Sequence, residues 1–256
     1  QRSREPGRKG TISAATIREA IDGSLARLQT DVIDLYQLHW PNRGSYMFRQ
    51  NWNFDATKQD AALARAHMLD VLQEMQRQVD AGRVRHFGLS NESVWGIANW
   101  IQIAQENDLP RVQSVQNEYS LLCRYFDTDL AELSHNEDVG LLAFSPLAAG
   151  LLSGKYSPDH TPEGSRRQNT PDLGGRISLR VWGAIDAYQD IADRHSLDPC
   201  QMALAWCATR PFMTSVIFGA TNMDQLEAAL GAQHLELSPD VMDEIAVAHK
   251  AHPMPY

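Results

Sequence analysis

The stretch Val32-Ile33-Asp34-Leu35-Tyr36-Gln37-Leu38-His39-Trp40-Pro41 is a run of strand length that ends on a titratable side chain. Its apolar character on both faces reads as a strand buried in a parallel sheet. In parallel β/α proteins the carboxyl ends of the strands converge on one face, and sites are built there. The arrangement recurs at 84–89 followed by Ser90-Asn91, at 112–115 followed by Gln116-Asn117, and at 141–144 followed by Ser145-Pro146. Four strands in succession therefore bring hydrogen-bonding groups to a common mouth.

Around these strands the spacing predicts helices. Ser13 is the expected N-cap of a helix reaching about residue 29, with Ile17, Ala20, Ile21, Ser24, Leu25 and Leu28 as its inner stripe. Residues 40–59 form a loop rich in aromatic and asparagine residues. A helix over 63–80 follows, stopped by Gly82. Further helices are expected over 93–107, 127–136, 179–195, 199–209, 222–230 and 239–249, with a last strand at 215–218. The opening 1–10, with four basic residues, reads as a loop. Residues 145–178 carry glycines and prolines without periodicity, the length of a functional lid.

Strands alternating with helices mean a parallel sheet. Five strands are readable, whereas an eight-stranded barrel needs eight in typically ~250 residues. The reading is thus an α/β chain, 1–256, forming one domain: a (β/α)8 TIM barrel of which strands four to eight are present. The first three β/α units are expected ahead of Gln1. A doubly wound sheet is the rival, but no Gly-x-Gly-x-x-Gly follows any strand.

A net charge of −9 over 256 residues leaves no basic stripe for phosphates, which argues against a nucleic-acid partner. No apolar run approaches the eighteen or so residues of a membrane helix, and no signal-peptide apolar stretch is visible. The three cysteines, Cys123, Cys200 and Cys207, lack metal-ligand spacing and read as reduced cytoplasmic thiols. No metal site is expected: a metal-dependent hydrolase needs clustered His, Asp or Glu at strand ends, and only His39 is there.

The motifs Asp31-Val32-Ile33-Asp34-Leu35-Tyr36-x-x-His39-Trp40, Gly88-Leu89-Ser90-Asn91, Gln116-Asn117-x-Tyr119-Ser120, Ser145-Pro146-Leu147-Ala148-x-Gly150 and Gly219-Ala220-Thr221-Asn222-x-x-Gln225-Leu226 resemble, in order, strands four to eight of the aldo-keto reductases. The similarity is strongest to bacterial members that also resemble potassium-channel β-subunits. The resemblance implies NADP(H) as cofactor and reduction of aldehydes or ketones to alcohols by hydride transfer. It makes His39 the catalytic histidine that orients the carbonyl. An imidazole N–H at a strand end can stabilise charge on that oxygen; a buried histidine satisfied by backbone is the plain alternative.

By the same resemblance, Ser90, Asn91 and Gln116 read the nicotinamide carboxamide, or else simply cap strand ends. Phe144 stacks on the nicotinamide or packs as core. Ser145, Pro146, Leu147 and Gly150 lie in the loop approaching the pyrophosphate. Lys155 and Arg166 offer charge to phosphates, or are surface charges. Gly219, Ala220, Thr221 and Gln225 form the nucleotide loop of the last strand.

Two departures stand out. The family's aspartate, tyrosine and lysine lie on strands two and three and match no residue here; Tyr36 sits inside its strand and Tyr46 has no neighbouring lysine. Ala228 and Ala229 replace the acidic residue and asparagine set against adenine, and the 219–222 loop lacks a basic residue for the 2′-phosphate. NADPH over NADH therefore rests on resemblance. The competing function is a noncatalytic nucleotide-binding subunit or inactive fragment. The partner expected is a small carbonyl compound, with no nucleic acid or membrane; oligomeric state and the identity of the carbonyl are unreadable.

Overall fold

The computed structural model describes residues 11–256; the expected opening loop at 1–10 lies outside them. The chain divides into two compact units, one running to Asn117 and including Glu132–Gly140, the other made of Glu118–Ala131 and Leu141–Tyr256.

In the first unit, α1 (Ala14–Leu28) starts where its cap predicts. Ser13 Oγ accepts from Thr16 N and Thr16 Oγ1 accepts from Ser13 N, a capping box with threonine in the third position. Ile17 and Ile21 are buried, but Ala20 and Leu28 of the expected stripe are exposed. The helix packs against the next helix, α2 (Ala61–Asp80), and one neighbouring helix covers a narrower band than a sheet would.

Between them lie β1 (Ile33–Leu38) and the aromatic loop, whose rings pack on one another. Trp40 stacks on Phe48 at 5.1 Å and Tyr46 meets Phe54 edge-on at 5.9 Å. Gly82, at φ +68°, ends the turn after α2 in a conformation that favours glycine. Then come β2 (Val84–Ser90), α3 (Val94–Glu106), β3 (Val112–Glu118) and α4 (Asp129–Glu137).

β1 and β2 pair in parallel with Leu38 opposite Leu89, and β2 pairs in parallel with β3, Ser90 opposite Gln116. The register slips between Phe87 and Leu89, which brings Ser90 and Gln116 level. His39, one residue past Leu38, emerges at the same end. Phe87, Leu89, Val112 and Val115 are buried, as strands covered on both faces require. β1, expected to be buried, instead has only Leu38 fully buried and Asp34 exposed, because it is paired on one side alone among the described residues.

The second unit contains β4 (Gly140–Phe144), the short α5 (Arg166–Asn169), α6 (Val181–Arg194), α7 (Pro199–Ala208), β5 (Met213–Ile217), α8 (Met223–Gly231) and α9 (Pro239–Ala251). β4 and β5 are parallel, Leu141 opposite Met213 and Phe144 opposite Ile217. β5 begins two residues before the apolar run suggests, because ladder pairing with Leu141 sets its start.

The core of the second unit contains an aromatic cluster. Tyr119 stacks on Trp206 at 5.5 Å and meets Phe212 edge-on at 5.5 Å. Cys123 and Cys207 are buried in it as small apolar residues, and burial pushes the half-buried Cys200 thiol up to about 11. Among the described residues, no helix is long and apolar enough to cross a membrane.

The capping box is testable. Ser13→Ala removes the acceptor for Thr16 N and is expected to lower stability by about 1 kcal/mol, read as a shifted denaturant midpoint at unchanged slope.

Candidate functional site

In the first unit the register assembles a hydrogen-bonded group at the strand ends. Ser90, the last residue of β2, donates Oγ to the Gln116 carbonyl at 2.8 Å and accepts from Asn91 Nδ2 at 3.0 Å. Asn91 N donates to the same Gln116 carbonyl at 3.1 Å, and Asn91 Nδ2 donates to the His39 carbonyl at 2.9 Å. Four of the residues singled out in the sequence, His39, Ser90, Asn91 and Gln116, therefore form one constellation. Gln116 enters it through its backbone oxygen.

Asn91 is the centre of this group. It is 1% exposed and adopts φ +57° without being glycine, a conformation asparagine tolerates better than most residues. Both neighbours of Nδ2 are acceptors, which fixes the amide orientation. That leaves Oδ1 buried with no hydrogen-bond partner among the described residues. A buried acceptor left unmade costs roughly 1–3 kcal/mol, so this oxygen has capacity for a further donor. His39 is exposed at the end of β1. Tyr36, within β1, has its phenol pushed up by burial, the wrong direction for a proton donor near neutrality.

In the second unit, Phe144 ends β4, half-buried, and its carbonyl accepts from Tyr119 N. Ser145 follows at φ +55°, Pro146 is buried, and half-buried Leu147 packs against a cluster of Leu204, Ala229 and Ala232. The chain then takes three consecutive left-handed residues, Ala148, Ala149 and Gly150. The Gly150 amide donates to the Leu147 carbonyl at 2.8 Å inside this turn.

Lys155 folds back over Gly150: a Cβ there would lie 3.1 Å from Lys155 Cε. Arg166 is exposed at the start of α5. Its neighbour Arg167 is the anchored one, donating to the Ser157 carbonyl at 2.5 Å and lying 5.1 Å from the Trp182 ring centroid. Gly219, Ala220, Thr221 and Gln225 are all exposed after β5. Gln225 Oε1 accepts from Thr221 N at 2.9 Å and Thr221 Oγ1 at 3.0 Å, closing the loop onto α8. Ala229 is buried, so its small side chain serves packing.

The sequence pattern of the Aldo/keto reductase family matches residues 4–250. The chain belongs to that family. It is 44% identical over 244 residues to Protein tas of Escherichia coli (strain K12), covering 95% of this chain and 69% of that protein. It is 30% identical to a probable voltage-gated potassium channel subunit beta of Oryza sativa subsp. japonica, covering 97% of this chain and 71% of that one. It is 26% identical to the NADH-specific methylglyoxal reductase of Escherichia coli (strain K12), covering 89% and 62%.

This aldo/keto reductase also holds a brace that the sequence reading missed. Arg176, near the end of the long segment after β4, donates Nε to Glu118 Oε1 at 2.9 Å and Nη1 to the Leu173 carbonyl at 2.8 Å. Its Nη2 reaches Ser145 Oγ at 3.3 Å. Tyr256 OH donates to the same Glu118 oxygen at 3.2 Å. Burial by itself would lower the Arg176 pKa; the Glu118 carboxylate together with Tyr256 and Cys123 outweighs that, so the guanidinium pKa is raised. One arginine thus closes the base of a segment whose first residue is Ser145. A lone arginine thirty-one residues downstream of Ser145 carries no periodic signal that could have revealed it.

Removing one partner of a buried ion pair strands the other. Arg176→Met is expected to destabilise the protein by about 3–5 kcal/mol. Arg176→Met combined with Glu118→Leu is expected to recover part of that loss, both measured by denaturant titration.

Proposed function

We propose that the protein is an NADP(H)-dependent oxidoreductase that reduces aldehydes or ketones to alcohols. The observation that carries this reading is the buried Asn91 Oδ1, an acceptor with no donor among the described residues. A carboxamide NH2 is the donor it fits. A nicotinamide nucleotide, when bound, supplies the hydride. Asn91 accepts from the carboxamide, and the Ser90 and Gln116 contacts hold Asn91 in place. His39 donates an imidazole N–H to the substrate carbonyl oxygen, stabilising charge that develops there.

The remaining assignments are part of the same proposal. Phe144 presents its ring to the nicotinamide. Ser145, Pro146, Leu147 and Gly150 shape the approach to the pyrophosphate, with Lys155 and Arg166 supplying positive charge. Gly219, Ala220, Thr221 and Gln225 form the adenosine end. The chain is read as a single barrel domain in which β1 to β5 are strands four to eight. Supporting this, β1 pairs only with β2, and β5 only with β4, among the described residues. In that arrangement the tyrosine, lysine and aspartate of proton transfer belong to strands two and three. A cytoplasmic location goes with the free thiols.

A second reading, a nucleotide-binding subunit without turnover, is favoured by the similarity to a probable channel β-subunit. Cofactor choice is similarly open to the NADH side, since one relative is named NADH-specific. Titration of the purified protein with NADPH and with NADH, followed by turnover with an aldehyde panel, separates these possibilities. Tight binding without NADPH consumption would establish the subunit reading; no binding of either nucleotide would overturn both. His39→Ala is expected to lower kcat/KM on the order of 10²–10³-fold while leaving the nucleotide Kd unchanged. Asn91→Leu is expected to weaken nucleotide binding about tenfold, or 1.4 kcal/mol.

A further inference from the structure

Behind Asn91 lies a second buried network that the proposed reaction does not use. Glu92 is the next residue, with its side chain 2% exposed. Arg43 grips it with both ends of the guanidinium, Nη1 to Oε2 at 3.0 Å and Nη2 to Oε1, and Nη2 also reaches Ser93 Oγ at 3.1 Å. Ser93 N donates to Glu92 Oε1 at 2.7 Å and Trp100 Nε1 to Oε2 at 3.4 Å. The Glu92 backbone is clamped as well: its N–H donates to Asn117 Oδ1 at 3.1 Å, and its carbonyl accepts from Asn117 Nδ2 at 2.9 Å. The Arg43 guanidinium lies 5.0 Å from the Trp95 ring centroid, and the Arg43 carbonyl accepts from Gln59 Nε2 at 3.2 Å.

The location of this pair is informative. Arg43 belongs to the loop that leaves β1 just after His39, and Glu92 to the loop that leaves β2 just after Asn91. The two loops are joined at the front by the Asn91 Nδ2 to His39 carbonyl hydrogen bond. The ion pair joins them again at the back. Asn91 sits in a left-handed conformation that its surroundings must hold. A buried ion pair adds little net stability over apolar packing, but a bidentate arginine fixes distance and angle.

Gly96, in the first turn of α3, completes the seat. A Cβ there would overlap Glu92 Oε1 and Arg43 Nη2, so the pair occupies space that any other residue would claim.

We propose that the Arg43–Glu92 pair is a positioning element, holding the His39 and Asn91 loops at the separation needed for carboxamide and carbonyl to be presented together. This rests on the reaction proposed above. Arg43 and Glu92 touch neither group; they act through the loops that do.

The test uses the purified full chain with Arg43→Met, Arg43→Lys and Gly96→Ala, and Ser238→Ala, which removes the cap of α9, as a destabilised control. Hydrogen–deuterium exchange without nucleotide reads the loops directly, and NADPH titration reads the consequence. Arg43→Met and Gly96→Ala are expected to exchange faster at both 40–45 and 90–93. Their NADPH Kd is expected to rise about tenfold, with Arg43→Lys in between. Ser238→Ala should change neither reading. Should Arg43→Met not fold, Gly96→Ala and Arg43→Lys carry the comparison. A folded variant whose loop exchange and NADPH Kd equal those of the wild type would overturn the inference. A wild type that binds no nucleotide would overturn the reaction instead, and the exchange data would still decide whether the pair holds the two loops.

Discussion

Parallel pairing in a particular register is what the first unit depends on. Leu38 stands opposite Leu89 and Ser90 opposite Gln116. A one-residue slip would turn every side chain of the slipped strand to the other face, and a slip of β2 on β3 would part Ser90 from the Gln116 carbonyl. The irregularity between Phe87 and Leu89 is therefore a working part of the sheet. Gly88 lies inside it, and a Cβ there would come within 2.6 Å of Ser114 Oγ. The strand passes close to its neighbour because nothing projects from that position.

Each unit places a buried arginine–glutamate pair behind a strand end. Arg43 and Glu92 secure the exits of β1 and β2; Arg176 and Glu118 secure the long segment after β4. Both pairs are nearly removed from water, and in both the arginine makes additional bonds, to Ser93 Oγ in one and to the Leu173 carbonyl in the other. Desolvation makes such pairs poor contributors to net stability. Their common property is directional: a planar donor fork holds a loop in one orientation. Loops that must present polar groups to a ligand gain from that restraint.

β2, β3 and β4 were legible because they are apolar runs closed by Ser-Asn, Gln-Asn or Ser-Pro, and α1 because Ser13 caps it as its side chain suggests. Ser90 and Asn91 were legible as polar groups at a strand end. The orphaned Asn91 oxygen was not, since it depends on which atoms surround a side chain. Neither ion pair was readable either: Arg43 and Glu92 are 49 residues apart, Arg176 and Glu118 58. Local periodicity has no reach over such separations. Leu28 shows the opposite failure, an apolar residue in helical phase that the fold leaves 65% exposed.

The turn after β4 carries one more consequence. Ala148, Ala149 and Gly150 hold φ values of 48°, 60° and 95° in succession, a stretch in which every side-chain carbon crowds its own carbonyl. Valine, isoleucine and threonine would be shut out by their branching, and proline by its ring. Randomising these codons should return a narrow alphabet of glycine, alanine, asparagine and aspartate, however freely the exposed residues of α5 drift.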